Sequence, residues 1–241
     1  MSSPLLEVRD LDVRIGQSHI LHRLSFSVQS GGVTGLLGRN GVGKTTTLRG
    51  ILGLAERTGE IIMDGEPIGG LRTHEVVQRG IAYVPEDRDV FAGLTVEENL
   101  RLAERPGNEL RYDLVYDLFP ELRTRGKQRA GTLSGGQQQM VAIARALLNG
   151  GNRLLLVDEP TKGLAPLVVR NVVDALKRAA EVVTILLVEQ NLSVAHKLAR
   201  DAIVLDQGSV GYVGTVDELM SDPALARRHL GLSSTGTAHQ P

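Results

Sequence analysis

The segment Gly38-Arg39-Asn40-Gly41-Val42-Gly43-Lys44-Thr45 does more than any other to limit what this chain of 241 residues can fold into. It follows Val33-Thr-Gly-Leu-Leu37, an apolar run that reads as a short buried strand, and it opens a helix. Glycines at positions 38, 41 and 43 let the backbone turn so that successive N–H groups converge on one point, and a helix N-terminus adds a dipole that favours an anion there. Strand, glycine-rich turn and helix, in this order, form the context in which a Walker A pattern cradles phosphate. Lys44 is then placed to neutralise β- and γ-phosphates, and the Thr45 hydroxyl to ligate Mg²⁺. Arg39, Asn40 and Thr46 complete the candidate nucleotide-binding set. A plain glycine-rich turn with an incidental lysine is the competing reading, and the preceding strand weakens it.

The rest of the chain agrees with an α/β reading. Segments 6–15 and 20–28, separated by Gly16-Gln-Ser, predict a hairpin. Apolar runs at 33–37, 80–84, 153–157, 182–188 and 202–205 alternate with helical stretches, which predicts a mostly parallel sheet. From Pro85 to about Gly150 the strand signals stop, and amphipathic patterns at 96–103, 110–119 and 137–148 predict a helical insert. The expected organisation is one domain over 1–232, with a core of about 1–85 and 151–232, a helical subdomain of about 86–150, and a small polar tail at 233–241 expected to be disordered.

Composition narrows the function classes. Lys and Arg number 27 against 28 Asp and Glu, so no net charge draws the whole surface to nucleic acid, and no nucleic-acid partner is expected. Cysteine is absent, which removes disulfides and thiolate metal sites. No apolar run approaches the roughly 20 residues of a membrane-spanning helix. The start, Met1-Ser-Ser-Pro, lacks the pattern of a secretory signal, so a cytoplasmic location is expected.

Arg153-Leu-Leu-Leu-Val-Asp158-Glu159 is an apolar strand ending in two acids. A buried parallel strand delivers its last side chains to the sheet edge where α/β folds bind ligands. Asp158 is the expected Mg²⁺ partner and Glu159 the group that polarises an attacking water, with two acids at a helix start as the alternative. Leu133-Ser134-Gly135-Gly136-Gln137 begins another helix, in which Ser134 and Gln137 form a capping box and Met140, Ile143, Ala144 and Leu147 the buried stripe. Capping does not account for the two glycines, whose cost in a helix points to close approach of a ligand.

Walker A, Leu-Ser-Gly-Gly-Gln and the strand with two acids, in this order, resemble the ATPase subunits of ABC transporters. The resemblance spans about residues 5–232. It implies a P-loop NTPase (RecA-like) core with a mostly parallel sheet, an N-terminal antiparallel β subdomain and a helical insert. It also implies ATP and Mg²⁺ as cofactors and ATP hydrolysis coupled to transport. Ser134, Gly135, Gly136 and Gln137 would meet the γ-phosphate of ATP held by the Walker A loop of a facing subunit, in a head-to-tail dimer of identical or homologous ATPases.

Several positions depart from the general ABC pattern. Glu86 in Val84-Pro-Glu stands where a Gln is usual, as a candidate metal ligand or water-ordering group with Arg88 as its counter-ion. Gln190 replaces the switch His: it can donate a hydrogen bond to phosphate but carries no charge. Ile15 replaces the aromatic that stacks on adenine. Together with Thr-Val-Glu-Glu-Asn99, Gly-Leu-Ala-Pro166 and Val-Glu-Gln-Asn191, these resemble the ATPases of branched-chain amino acid importers, with urea and short-chain amide importers close by. A regulatory subunit with weak hydrolysis is the remaining alternative.

That resemblance implies a peripheral protein on the cytoplasmic face of the membrane. Two permease subunits would dock on Glu86–Asn99, where Phe91, Leu94 and Val96 supply apolar surface or, alternatively, pack the insert's own core. An extracytoplasmic solute-binding protein would be an indirect partner.

Overall fold

Alternation along two long strands sets the first sheet. In the computed structural model, which describes residues 3–230, β1 (Leu6–Ile15) and β2 (Ser18–Val28) pair antiparallel from Leu6 opposite Val28 to Ile15 opposite Ser18. Leu6, Val8, Leu11 and Val13 of β1 are buried with Leu21, Leu24, Phe26 and Val28 of β2, the period-two pattern of a sheet with one covered face. The expected tail at 233–241 lies outside the described residues.

The chain divides into two units, one of residues 3–29, 34–70 and 188–230 and the other of 30–33 and 71–187. The first continues through β3 (Val33–Leu37), α1 (Lys44–Leu52), β4 (Glu56–Met63) and β5 (Glu66–Pro67). β4 pairs antiparallel with the free edge of β1, and β5 with β4, so this sheet runs β2-β1-β4-β5.

In the second unit lie α2 (Thr73–Gln78), β6 (Ile81–Val84), α3 (Val96–Arg101), α4 (Tyr112–Leu118), α5 (Pro120–Thr124), α6 (Gly135–Leu147), β7 (Leu154–Asp158), α7 (Pro166–Ala179) and most of β8 (Thr184–Glu189). β6 and β7 are parallel, with Ile81 opposite Leu154 and Val84 opposite Val157. Every residue of β7 and β8 is buried, as in parallel strands covered on both faces. α6 buries Met140, Ile143, Ala144 and Leu147, the stripe read from the sequence. Asn149, after α6, accepts from the Arg105 N–H at 3.0 Å and donates to the Ala103 carbonyl at 2.7 Å, fastening the loop between α3 and α4.

The chain ends its described part in the first unit with α8 (Leu192–Leu198), β9 (Asp201–Asp206), β10 (Ser209–Thr215), α9 (Val216–Ser221) and α10 (Pro223–Leu230). β3 runs parallel to β9, and β10 returns antiparallel along the other edge of β9. Parallel pairs with helices beside a separate antiparallel sheet make this the α/β architecture expected from the sequence.

β4, β5 and β10 have no counterpart among the predicted strands. β4 carries Glu56, Arg57 and Glu60, and Gly59 adopts φ 99° beside the irregularity at Asp10, so its alternation is broken. β10 is half exposed and contains two glycines.

Arg57 ties this first unit together. Its guanidinium donates to the carbonyls of Gly50 and Ile51 in the last turn of α1, the latter at 2.8 Å, and to Gly69 at 2.9 Å. A cation here satisfies the Ile51 carbonyl, joins the Gly53 N–H at 3.1 Å on the Gly50 carbonyl, and complements the dipole. Arg57→Leu is expected to cost about 3 kcal/mol, from lost charged hydrogen bonds and carbonyls left without partners. Thermal unfolding should show this as a fall in Tm of roughly 10 °C, and an unchanged Tm would remove Arg57 from this role.

Candidate functional site

The loop between β3 and α1 is shaped by glycine. Gly38 has φ 150°, Gly41 81° and Gly43 105°, values that side chains resist. Space forbids them as well: a Cβ on Gly38 would sit 2.7 Å from the Leu205 carbonyl oxygen, and one on Gly43 2.6 Å from Leu21 Cδ2. Gly43 is the N-cap of α1 and offers no side chain, so no capping group covers the first-turn N–H donors. The Lys44 ammonium, itself buried, donates at 3.0 Å to the carbonyls of both Gly38 and Arg39, crossing the loop it belongs to. Thr45 and Thr46 are partly exposed in the first turn of the helix. Converging donors, a helix of nine residues and a central cation fit a polyphosphate.

Two further candidates lie in the same unit. Ile15 ends β1 half exposed, an apolar surface free to meet a ring. Gln190 is exposed directly after β8, between Glu189, which is buried, and Asn191. Asn191 is the N-cap of α8, accepting from Ser193 at 3.0 Å and Val194 at 3.3 Å. The Glu-Gln-Asn run thus sets Gln190 between a buried Glu189 and the exposed N-cap Asn191.

In the other unit, β7 brings Asp158 to its end fully buried, where Oδ2 accepts from the Tyr83 hydroxyl at 3.4 Å. Glu159 follows in the left-handed region, φ 43°, a conformation that costs roughly 1 kcal/mol or more for a residue with a Cβ. The turn it starts closes with the Lys162 N–H on the Glu159 carbonyl at 3.1 Å, and this returns the Lys162 side chain toward Glu159. The ammonium lies 3.3 Å from Glu159 Oε2 and 2.5 Å from Glu86 Oε1. Lys162 was absent from the sequence-derived candidates, because only the turn reveals which acids it reaches. These two carboxylates, Glu86 first, raise its pKa above the ordinary lysine value.

Lys162, and not Arg88, is the counter-ion of Glu86. Arg88 instead lies against the start of α6, where a Cβ on Gly135 would meet its Nη1 at 2.8 Å. Thr45 in one unit offers a hydroxyl and Asp158 in the other a carboxylate, each an oxygen donor of the kind Mg²⁺ prefers, whereas Glu86 spends one oxygen on an ammonium. No group of three or more His, Cys, Asp or Glu residues suited to a metal occurs among the described residues.

The capping box at α6 is present as read: Gln137 Oε1 accepts from the Ser134 N–H at 3.0 Å, and Ser134 Oγ from the Gln137 N–H at 3.3 Å. Gln137 Nε2 also donates to Glu121 of α5 at 2.9 Å. Gly136 has a packing reason in addition to the expected ligand approach. Gly136 is buried directly beneath Val168 of α7, with no room for a methyl group.

Around 86–99 the structure separates surface from support. Val96 and Asn99 are wholly buried, while Phe91 is half exposed. Val96 therefore packs the insert's core and gives no docking surface. Asn99 binds the loop ahead of it: Oδ1 accepts from the Phe91 N–H at 2.9 Å, and Nδ2 donates to the carbonyls of Phe91 at 3.1 Å and Thr95 at 2.9 Å. Arg145 stacks 4.8 Å over the Phe91 ring and donates to the Asp89 carbonyl at 2.6 Å. Beside them opens a cleft of about 370 Å³ lined by Pro85, Arg88, Leu102, Arg105, Arg145 and Asn149.

The glycine cradle and its lysine define a P-loop nucleotide-binding protein. The family model described as ABC transporter matches residues 21–162, and the chain belongs to this family as one of its ATP-binding ATPase domains. It is 40% identical over 222 residues to the high-affinity branched-chain amino acid transport ATP-binding protein BraG of Pseudomonas aeruginosa, covering 90% of this chain and 95% of that one. It is 37% identical over 235 residues to a probable branched-chain amino acid transport ATP-binding protein, LivF, of Archaeoglobus fulgidus, covering 95% and 99%. Among solved structures, an ATP-binding subunit of an ABC transporter superposes with a TM-score of 0.78 at 31% identity, over 94% of this chain and 96% of that chain. No helix among the described residues is long and apolar enough to cross a membrane.

The contact under Gly136 yields a test. Gly136→Ala should overpack α6 against α7 and cost about 1–3 kcal/mol, read as a lower Tm. Adding Val168→Ala should return much of that loss, and a double variant no more stable than Gly136→Ala would show that the methyl is refused for another reason.

Proposed function

We propose that this chain is the ATP-hydrolysing subunit that powers an ABC importer of branched-chain amino acids. The observation that carries the hydrolytic part is the glycine cradle closed by Lys44 at the head of α1. The solute rests on the likeness to BraG and LivF along nearly the whole chain, because no residue of such a subunit has to touch the solute.

In this reading the first-turn N–H groups and Lys44 bind the β- and γ-phosphates of ATP, with Arg39, Asn40 and Thr46 along the loop and Ile15 giving adenine an apolar contact without stacking. Thr45 and Asp158 hold Mg²⁺, which supplies positive charge where the transferring phosphoryl group spreads its negative charge. Glu159 orients the attacking water and draws on its proton. Gln190 donates an amide hydrogen bond to the γ-phosphate and contributes no charge. Ser134 to Gln137 close over the ATP of a second ATPase subunit, so catalysis is completed in a head-to-tail dimer.

The cleft beside Phe91 and Arg145 receives the permease, on the cytoplasmic face of the membrane. Its mixed apolar and cationic lining, together with the burial of Val96 and Asn99, supports docking on Phe91, Leu94 and Leu102. The core-and-insert division at about residues 86 and 150 follows from the same reading.

Lys44→Ala should abolish ATP binding by the isolated chain, measured with a fluorescent nucleotide. In the transporter assembled with its permeases, Glu159→Gln should lower kcat by about 10² to 10⁴-fold, the range for loss of a general base. Turnover within about threefold of wild type would sink the assigned role. Single cysteines at Phe91 and Leu102 should cross-link to a permease cysteine in at least one nucleotide state, and silence in every state would place the docking surface elsewhere.

A further inference from the structure

The loop after β6 holds Arg88 in an unusual place. Arg88 and Asp89 are consecutive residues in the left-handed region, φ 68° and 47°, which side chains resist. The guanidinium lies against the first residue of α6: a Cβ on Gly135 would stand 2.8 Å from Nη1, 3.3 Å from Cζ and 3.4 Å from Nη2. Cα–Cβ bonds of a helix tilt toward its N-terminus, so the fork stands on the N-terminal rim of α6, beside the exposed Ser134. Gly135 thus leaves room for Arg88 as Gly136 does for Val168.

A cation is electrostatically misplaced here, because the first turn of α6, a helix of 13 residues, carries the positive end of the dipole. The buried Nε of Arg88 has no hydrogen-bond partner among the described residues. Glu86, two residues before it, gives an oxygen to Lys162, and the Asp89 carbonyl is taken by Arg145. A guanidinium kept under these conditions calls for an anion from outside the chain. In the reading above, the start of α6 closes over the ATP of the second subunit, and Gln190 leaves that phosphate without the charge of the switch His it replaces.

We propose that Arg88 is a further catalytic residue, donating from the rim of α6 to the γ-phosphate of the ATP held by the facing subunit and supplying there the positive charge that Gln190 lacks. This rests on the head-to-tail closure proposed above. Arg88 also lines the cleft beside Phe91, where a permease carboxylate is the competing anion. Cζ and both terminal nitrogens lie over Gly135, which favours the phosphate.

The test uses the transporter assembled with its permeases and loaded with Mg²⁺, ADP and vanadate, the last standing in for the transferring phosphoryl group. Arg88→Met is expected to release the trapped nucleotide at least about tenfold faster than wild type and to lower kcat for ATP by about the same factor. An arginine supplied in trans to phosphoryl transfer is worth roughly 10³ to 10⁵-fold where it is the main cation, and here Lys44 and the metal ion remain. Lysine keeps the charge without the fork, so Arg88→Lys should recover part of both losses. The isolated Arg88→Met chain should bind a fluorescent ATP analogue as wild type does, because Arg88 meets the nucleotide of the other subunit.

Unchanged retention and kcat in Arg88→Met, no recovery by lysine, or weaker nucleotide binding by the isolated chain would each overturn the proposal. If Arg88→Met detaches the chain from its permeases while retention in the remaining complexes is unchanged, the anion is a permease carboxylate and the proposal falls. Ser134→Ala is run alongside: if it shortens retention while Arg88→Met does not, the head-to-tail closure stands and Arg88 has no part in it; if neither does, both fall. Thermal unfolding separates a structural role. Glycine takes φ 68° at no steric cost, so Arg88→Gly should have a Tm no lower than wild type, and a fall of more than about 4 °C would make Arg88 a packing residue and overturn the proposal.

Discussion

Between β3 and α1 the backbone must turn within a few residues and still leave its N–H groups uncovered for a polyanion. Gly38 and Gly43 make this possible by having no side chain, because their left-handed backbones and the nearness of Leu205 and Leu21 exclude even a methyl group. Much of the first unit answers to this turn. β9 runs beside β3 and supplies the carbonyl that fills the space over Gly38; β2 supplies the side chain that fills the space over Gly43; Arg57 closes the far end of α1. The cradle is thus a backbone structure with one functional side chain at its centre, Lys44, and the surrounding strands fix its shape.

The parts of this fold legible in the sequence were those dictated by a single local rule. Fully buried strands read as unbroken apolar runs, and α6 announced itself by its capping box and stripe. β4 was illegible because Glu56 and Glu60 are exposed, Arg57 is spent on helix-end carbonyls and Gly59 sits beside an irregularity, so neither alternation nor an apolar run survives. β10, half exposed with two glycines, failed for the same reason.

The candidate site divides along a similar line. The glycine turn, the strand ending in Asp158 and the capping box of α6 were legible from sequence order, while partners set by a turn or by packing were not. Glu86 is one such case, since a turn at Glu159–Lys162 presents a lysine to it and Arg88 is drawn away to α6. Val96 is another: its apolar character suited surface and core equally, and burial decided for the core. The paired glycines of α6 were read as room for a ligand, yet Val168 shows that the chain has a use for that room itself.

Asn99 gives the segment before α3 a mechanical character. A loop of this kind ordinarily absorbs force by flexing, but three hydrogen bonds from one buried amide tie Phe91 and Thr95 to the first turn of the helix. Arg145, laid over Phe91 and bonded to Asp89, clamps the same stretch to α6. A load applied at Phe91 therefore travels to α3 and α6 as displacement and is not spent within the loop. The Gly131 and Ala130 N–H groups, donating to the Ala92 and Leu94 carbonyls at 3.0 and 2.8 Å, brace the same stretch, so its stiffness is shared between side chains and backbone.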